Sequence, residues 1–189
     1  MIKQYLLRAT DILLSILGLL VTAPIQVVIC IIGLFDTGSP LFIQRRVGKG
    51  QQPFTLIKFR TMKQGTASTA THLASADAIT PFGRFLRRTK LDELPQLINV
   101  LKGDMSLVGP RPCLFNQLEL IDAREKNSVF NVLPGITGLA QVNGIDMSDP
   151  QKLADWDQKM IQSLTFNNYF KYLLFTLVGK GAGDRVRNG

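Results

Sequence analysis

Residues 12–35 read ILLSILGLLVTAPIQVVICIIGLF, 24 positions without a charge, closed by Asp11 on one side and Asp36 on the other. As a straight helix this run would reach about 36 Å, against a bilayer hydrocarbon core of roughly 30 Å. A core helix so long and so uniform is out of scale for a chain of 189 residues, so a membrane segment is expected. Pro24 sits near its middle, where it removes one helical hydrogen bond and clashes with the preceding turn. Basic residues flank both ends: Lys3 and Arg8 before, Arg45, Arg46 and Lys49 after. Two readings stand. One is a kinked spanning helix. The other is a re-entrant helix bent at Pro24, with arms of about 12 residues or roughly 18 Å that dip into one leaflet. The re-entrant form keeps both basic flanks on the cytoplasmic side, as the positive-inside tendency favours. It also leaves a carbonyl freed by Pro24 for which Thr22 is the candidate donor. A cleaved signal peptide fits less well. Val21-Thr22-Ala23 faintly resembles a cleavage site, but the apolar run continues to Phe35, beyond the usual length of such a segment.

The rest of the chain must then work beside a lipid surface, and its charge agrees. Lys and Arg number 22 against 14 Asp and Glu, an excess that suits an anionic partner: headgroups, phosphorylated substrates or nucleic acid. Cys30 and Cys113 form no spaced pair, so no disulfide framework is expected and a reducing, cytosolic face is the simpler setting. His72 is the only histidine, which leaves little material for a His-rich zinc site or a Ser-His-Asp triad.

Beyond Asp36, TGSP reads as a turn. Two short runs, Leu41 to Gln44 and Pro53 to Phe59, flank a Gly-Lys-Gly turn and predict a β-hairpin. Val47-Gly48-Lys49-Gly50 lacks the spacing of a nucleotide P-loop. Gln64 to Ala78 is small and polar, a loop or weak helix. Within PFGRFLRRTKLDELPQLINVLKGDMSLVGPRP, residues 81–112, Phe82, Phe85 and Leu86 recur at helical spacing among Arg84, Arg87 and Arg88. Pro95 is tolerated only in a first turn, so a new helix should start near Asp92 and Glu93, run to Lys102 and stop at Gly103. From Asp122 a charged, solvated segment is expected, then LPGITGLAQVNG as a Gly-rich loop. In the tail, Phe166, Tyr169, Phe170, Leu173 and Leu177 share one helical face, either core or lying on the membrane.

Chemistry concentrates at Asp92-Glu93, adjacent carboxylates preceded by Arg87, Arg88 and Lys90. At a helix start the free amides and dipole keep carboxylates ionised and hold phosphate nearby. An ionised Asp beside arginines could attack phosphorus, and carboxylates with phosphate oxygens suit Mg2+; simple helix capping is the plain alternative. Arg111, between Pro110 and Pro112, has a stiffened backbone that suits bidentate phosphate contact or, more plainly, a rigid surface turn. Lys58 and Arg60 alternate with apolar residues and would share one face of a strand, facing either substrate or headgroups.

KFRTM at 58–62, LDELPQLINVLKGDMSLVGPRP at 91–112 and PGITGLAQVNG at 134–144, in this order and behind the apolar segment, resemble the monotopic phosphoglycosyl transferases, the bacterial sugar transferase family. The resemblance covers Tyr5 to about Asp157. It implies an α+β fold, mostly helical with a small sheet, in which 1–36 form a re-entrant membrane helix bent at Pro24 and 37–189 a cytosolic catalytic domain with interfacial amphipathic helices. It implies Asp92 as nucleophile and Glu93 as its catalytic partner, both beside Mg2+, with Lys58, Arg87 and Arg111 binding substrate. The implied partners are a UDP-sugar, undecaprenyl phosphate and membrane lipids, not nucleic acid, at the cytoplasmic face of a bacterial inner membrane. Short members often take N-acetylated sugars. The chain departs from the usual pattern at Ala23 (often Ser), Ile145 (often Arg), Met160 (Tyr) and Tyr169 (Asp).

The expected activity is therefore transfer of sugar-1-phosphate from a UDP-sugar to undecaprenyl phosphate, with release of UMP through an aspartyl-phosphosugar intermediate. Such a step initiates surface polysaccharide or glycoconjugate assembly. The competing readings are a non-catalytic basic membrane adaptor and a membrane phosphodiesterase that frees phosphosugar without a lipid acceptor.

Overall fold

The computed structural model describes residues 2–66 and 76–179. His72 and most of the small polar stretch read as a loop lie outside them. A single helix, α1 (Ile2–Thr37), carries the whole apolar run and is assigned without interruption across Pro24, where the sequence predicted a break. Pro24 has no N–H to give to the carbonyl of Leu20. The Thr22 hydroxyl goes elsewhere, donating to Gly18 O at 2.6 Å and accepting from Gln26 Nε2 at 2.9 Å. Thr37 ends the helix and Gly38, at φ +72°, turns the chain. This is a left-handed conformation that costs glycine little.

One narrow stripe of α1 faces the rest of the molecule. Asp11, Ser15, Ile29 and Gly33 are buried, with Leu14, Gly18, Thr22, Gln26 and Asp36 half-buried between them. That spacing of three and four places them on one helical face. Around the remaining circumference Leu13, Leu17, Leu20, Val21, Val28 and Phe35 are exposed. This is the one helix among the described residues long and apolar enough to cross a membrane. An apolar stretch left outside the core needs a nonaqueous neighbour.

Both ends of α1 are bonded into the same body. Near the start, Asp11 accepts from Leu107 N (2.9 Å), Ser106 Oγ (3.1 Å) and Tyr169 Oη (2.7 Å), while Arg8 Nη1 donates to Met105 O at 3.0 Å. Burial against Asp11 pushes the Tyr169 phenol well up, so it remains a donor. At the other end Asp36 Oδ2 accepts from Thr80 Oγ1 at 2.7 Å. These bonds tie both ends of α1 to the folded domain.

The hairpin forms as predicted. Strands β1 (Leu41–Val47) and β2 (Pro53–Phe59) are antiparallel, with Phe42 opposite Lys58 and Arg46 opposite Phe54. Then follow α2 (Pro81–Thr89), a 3-10 turn at Leu91–Glu93, α3 (Gln96–Lys102) and β3 (Ser106–Val108). After these come α4 (Leu118–Lys126), β4 (Gly135–Thr137), α5 (Leu139–Val142), α6 (Pro150–Ser163) and α7 (Phe166–Leu177). The architecture is mostly helical with little sheet.

Three expectations are corrected. The segment 134–144 is not a loop throughout: β4 pairs in parallel with β3, Ser106 facing Gly135 and Val108 facing Thr137, and α5 follows. Gly109 and Gly135 meet backbone to backbone here, since a Cβ on Gly135 would lie 2.0 Å from Gly109 N. The segment from Asp122 is not wholly solvated, because Arg124 is 1% exposed. The full helix begins not at Asp92 but at Gln96, with Pro95 as N-cap; Asp92 and Glu93 occupy the 3-10 turn before it. Gly103, at φ +90°, ends α3 where the sequence placed its stop. The tail proves to be core and surface at once: Tyr169 and Tyr172 of α7 are buried, while Phe166, Phe170, Leu174 and Leu177 form an exposed apolar row.

The main core cluster packs Phe54, Leu56, Val100, Met105, Leu107, Met160 and Tyr169. A second small cluster joins Ile29 of α1 to Phe59 and Leu86. Asn99, fully buried, fixes β2 against α3: its Oδ1 accepts from Ile57 N (3.1 Å) and its Nδ2 donates to Thr55 O (2.6 Å). Because Ile57 precedes Lys58, this link also sets where that lysine stands.

Candidate active site

The 3-10 turn at Leu91–Glu93 is reached through Lys90, which caps α2 in the left-handed region at φ 59°. Its short length gives it little of the helix dipole on which the sequence argument for an ionised pair relied. Glu93 instead meets a cation directly. Arg111 Nη2 donates to Glu93 Oε1 at 2.9 Å, with Glu93 15% and Arg111 27% exposed. Asp92, next in the turn, is buried at 6%. Burial lowers the half-buried Lys90 ammonium below its ordinary range; Glu93 opposes that shift and Arg111 adds to it. Lys90, Glu93 and Arg111 thus form one electrostatic group, and Lys90 joins the site although the sequence reading gave it no role of its own.

Lys58 and Arg87 belong to the two elements packed on this turn. β2, which ends in Lys58-Phe59, lies against the turn, and α2, which carries Arg87 in its last helical turn, precedes it. Lys58 is buried at 8%, its ammonium 5.6 Å from the centre of the Phe42 ring. Arg60 shares that ring but is spent on structure, donating from Nε to Ser39 O (3.0 Å) and from Nη2 to Leu41 O (3.2 Å). Arg87 donates through Nε to Thr61 Oγ1 at 2.8 Å. Its Nη1 is buried with no hydrogen-bond partner. A buried guanidinium N–H without an acceptor is costly, and an arriving anion would satisfy it. Close packing sets the arginine's position. A Cβ on Gly83 would lie 2.1 Å from Thr61 O, so α2 and residue 61 meet through bare backbone.

Arg111 is held from beneath. Arg124 donates from Nη1 to Arg111 O (2.8 Å) and grips Asp157 Oδ2 through Nε (3.0 Å) and Nη2 (2.6 Å). Arg46 Nη1 donates to Pro112 O at 3.2 Å. The sequence reading gave Arg46 and Arg124 no role at the site. A usable signal for Arg124 was its position four residues after Leu120, on the buried stripe of α4.

Among the described residues no group of three or more His, Cys, Asp or Glu could hold a metal ion. A divalent cation here would rest on Asp92 and Glu93 with phosphate oxygens completing its shell. Mg2+ accepts such a set, and a dedicated protein cage is not its habit.

Two carboxylates in one turn, one of them paired to Arg111, with the elements that carry Lys58 and Arg87 packed on that turn, form an arrangement able to hold an anionic group. The chain belongs to the bacterial sugar transferase family, which matches residues 2–180. It is 42% identical over 74% of its length to "Uncharacterized sugar transferase EpsL" of Bacillus subtilis, covering 69% of that protein. It is 34% identical over 92% of its length to the "Undecaprenyl-phosphate galactose phosphotransferase" of Salmonella typhimurium, covering 40% of it. With the "UDP-N-acetylgalactosamine-undecaprenyl-phosphate N-acetylgalactosaminephosphotransferase" of Aeromonas hydrophila it shares 37% identity over 75% of its length, covering 34% of that protein. The chain thus spans well under half the length of these last two relatives.

Proposed function

We propose that this chain transfers sugar-1-phosphate from a UDP-sugar to undecaprenyl phosphate. The observation that carries the reading is the buried, unpartnered Arg87 Nη1 on the helix that leads into the Asp92–Glu93 turn. It is a ready anion donor on the element next to the turn in which Glu93 is paired to Arg111. In the first step an Asp92 carboxylate oxygen attacks the sugar-bearing phosphorus. The bond to the bridging oxygen breaks, and UMP leaves with that electron pair. In the second step a phosphate oxygen of undecaprenyl phosphate attacks the same phosphorus, restoring Asp92 and giving undecaprenyl-diphospho-sugar. Two steps let UMP leave before the lipid phosphate enters. Lys58, Arg87 and Arg111 bind the diphosphate and stabilise the charge that develops on it. Glu93 serves as acid–base or metal partner. Mg2+, held by Asp92, Glu93 and the diphosphate, would supply further charge neutralisation.

The same reading makes α1 a re-entrant helix at the cytoplasmic face of the inner membrane. A straight helix would separate Asp11 from Asp36 by about 37 Å. Were it upright across a bilayer, one of those ends would stand on the far side from the domain. Instead, both ends hydrogen-bond to that domain.

Relatives are named for galactose and for N-acetylgalactosamine, so the site tolerates different hexoses across the family. We assign this chain an N-acetylhexosamine or a modified relative. The test is a panel of UDP-sugars with undecaprenyl phosphate and Mg2+. Lipid-dependent UMP release with one N-acetylated donor is expected. Free sugar phosphate without a lipid product would indicate a phosphodiesterase, and silence across the panel would leave a non-catalytic adaptor.

A further inference from the structure

We infer that the buried Arg124–Asp157 pair is a positioning device that holds the Arg111 backbone so that its guanidinium meets Glu93; this rests on Arg111 being part of the proposed site. The two side chains, on α4 and α6, are each 1% exposed and lie away from solvent and substrate. A buried ion pair gains little net stability over apolar side chains of the same volume, because both charges must be desolvated. Its value here is direction. Nε and Nη2 are both committed to Asp157 Oδ2, which fixes the plane of the guanidinium and leaves Nη1 aimed at one carbonyl, that of Arg111.

That carbonyl belongs to a turn unable to hold itself. Pro110 and Pro112 have no N–H, so the segment lacks the donors of a regular ladder. Four successive carbonyls are instead taken by four separate partners. Pro110 O accepts from Gly135 N (2.8 Å), Arg111 O from Arg124, Pro112 O from Arg46 (3.2 Å) and Cys113 O from Val47 N (3.0 Å). Under the turn lies a cleft lined by Val47, Pro110, Pro112, Arg124, Val129 and Phe130. With the Arg124 donor gone, Arg111 O loses its fixed partner, and the turn that sets Arg111 against Glu93 is no longer held.

The test replaces the pair by apolar residues, Arg124→Met with Asp157→Leu. A second variant, Arg124→Lys, keeps a cation against Asp157 without the planar fork that spans both acceptors. Thermal unfolding is measured first, then UMP release in wild type, in both variants and in each combined with Arg111→Ala. Near-wild-type unfolding is expected, with kcat lower by about 10²-fold and KM little changed, the scale of effect of a misplaced group. In the Arg111→Ala background the further loss should be less than about twofold, because the pair acts through a side chain already absent. Full activity in a folded variant, or losses that multiply with Arg111→Ala, would overturn the positioning role. Unfolding of both variants would also overturn it, making the pair a requirement of the fold alone. A wild-type protein silent on every UDP-sugar would instead refute the functional reading beneath it.

Discussion

Replacing Gly83 by Ala is the mildest change that should disable the site from a distance. In α2 the substitution is favourable by helix propensity, by about 1 kcal/mol. With open space beside it, Gly83→Ala would therefore stabilise the protein. The structure reverses that sign. The new Cβ would sit 2.1 Å from Thr61 O, 2.6 Å from Thr61 C and 2.7 Å from Thr61 Cα, all backbone atoms with no rotamer to yield. Restoring an ordinary contact of roughly 3.2 Å requires about 1 Å of separation between α2 and residue 61, and overpacking of this kind costs about 1–3 kcal/mol. The shift falls on the Arg87 Nε–Thr61 Oγ1 bond, now 2.8 Å, and carries Arg87 with it. A displacement of that size in a substrate-positioning group is worth on the order of 10²-fold in rate. The assay is UMP release in detergent or nanodiscs alongside thermal unfolding. Loss of activity with a modest fall in unfolding temperature is expected. A variant as active as wild type and more stable would show that the α2–residue 61 contact does not set the site.

Asp92→Asn should abolish turnover yet leave folding and membrane binding intact, while wild type given UDP-sugar without lipid should gain the phosphosugar mass on Asp92. Mapping of that mass to another residue would refute the assignment. Arg111→Lys should lower kcat/KM by tenfold or more, since an ammonium cannot reproduce the fork that reaches Glu93 at 2.9 Å; unchanged kinetics would remove Arg111 from the site. Asp11→Ala leaves Leu107 N–H and the Tyr169 hydroxyl without their buried acceptor, at about 1–3 kcal/mol each. A clear drop in unfolding temperature should follow, and none would mean water replaces the carboxylate. Cysteines placed at Lys3 and Lys49 should both be labelled from the cytoplasmic side, and opposite-side labelling would exclude the re-entrant helix.

Local signals and long-range ones differed in how far they could be read. The apolar run, the hairpin around Gly48–Gly50, the α3 stop at Gly103 and the acidic pair at 92–93 all announce themselves within a few residues. The break expected at Pro24 did not appear as a break in helical assignment, since proline removes one hydrogen bond while neighbouring turns keep theirs. The parallel pairing of β3 with β4 joins three-residue strands about 30 positions apart, too short for any alternation to show. Arg124 was misread because charge is usually a sign of exposure, and its partner Asp157 lies 33 residues away. Buried charge is visible in sequence only when both partners are known.

Partners of the two aspartates that close the apolar run explain why the apolar helix and the site belong to one unit. Asp36 accepts from Thr80 Oγ1, and that same hydroxyl caps α2 by accepting from Gly83 N at 2.9 Å. The capped helix carries Arg87. Asp11 accepts from Leu107 N in β3, four residues before Arg111. One end of the apolar helix is thus hydrogen-bonded to the helix that carries Arg87, and the other to the strand four residues before Arg111. Tilting or lifting α1 would strain both connections at once, so the position of the helix and the geometry of the arginines are mechanically linked. In the proposed reaction a lipid-borne phosphate would have to meet the turn at one fixed height, and a helix anchored at both ends would supply that reference where a single tether would leave the domain free to swing.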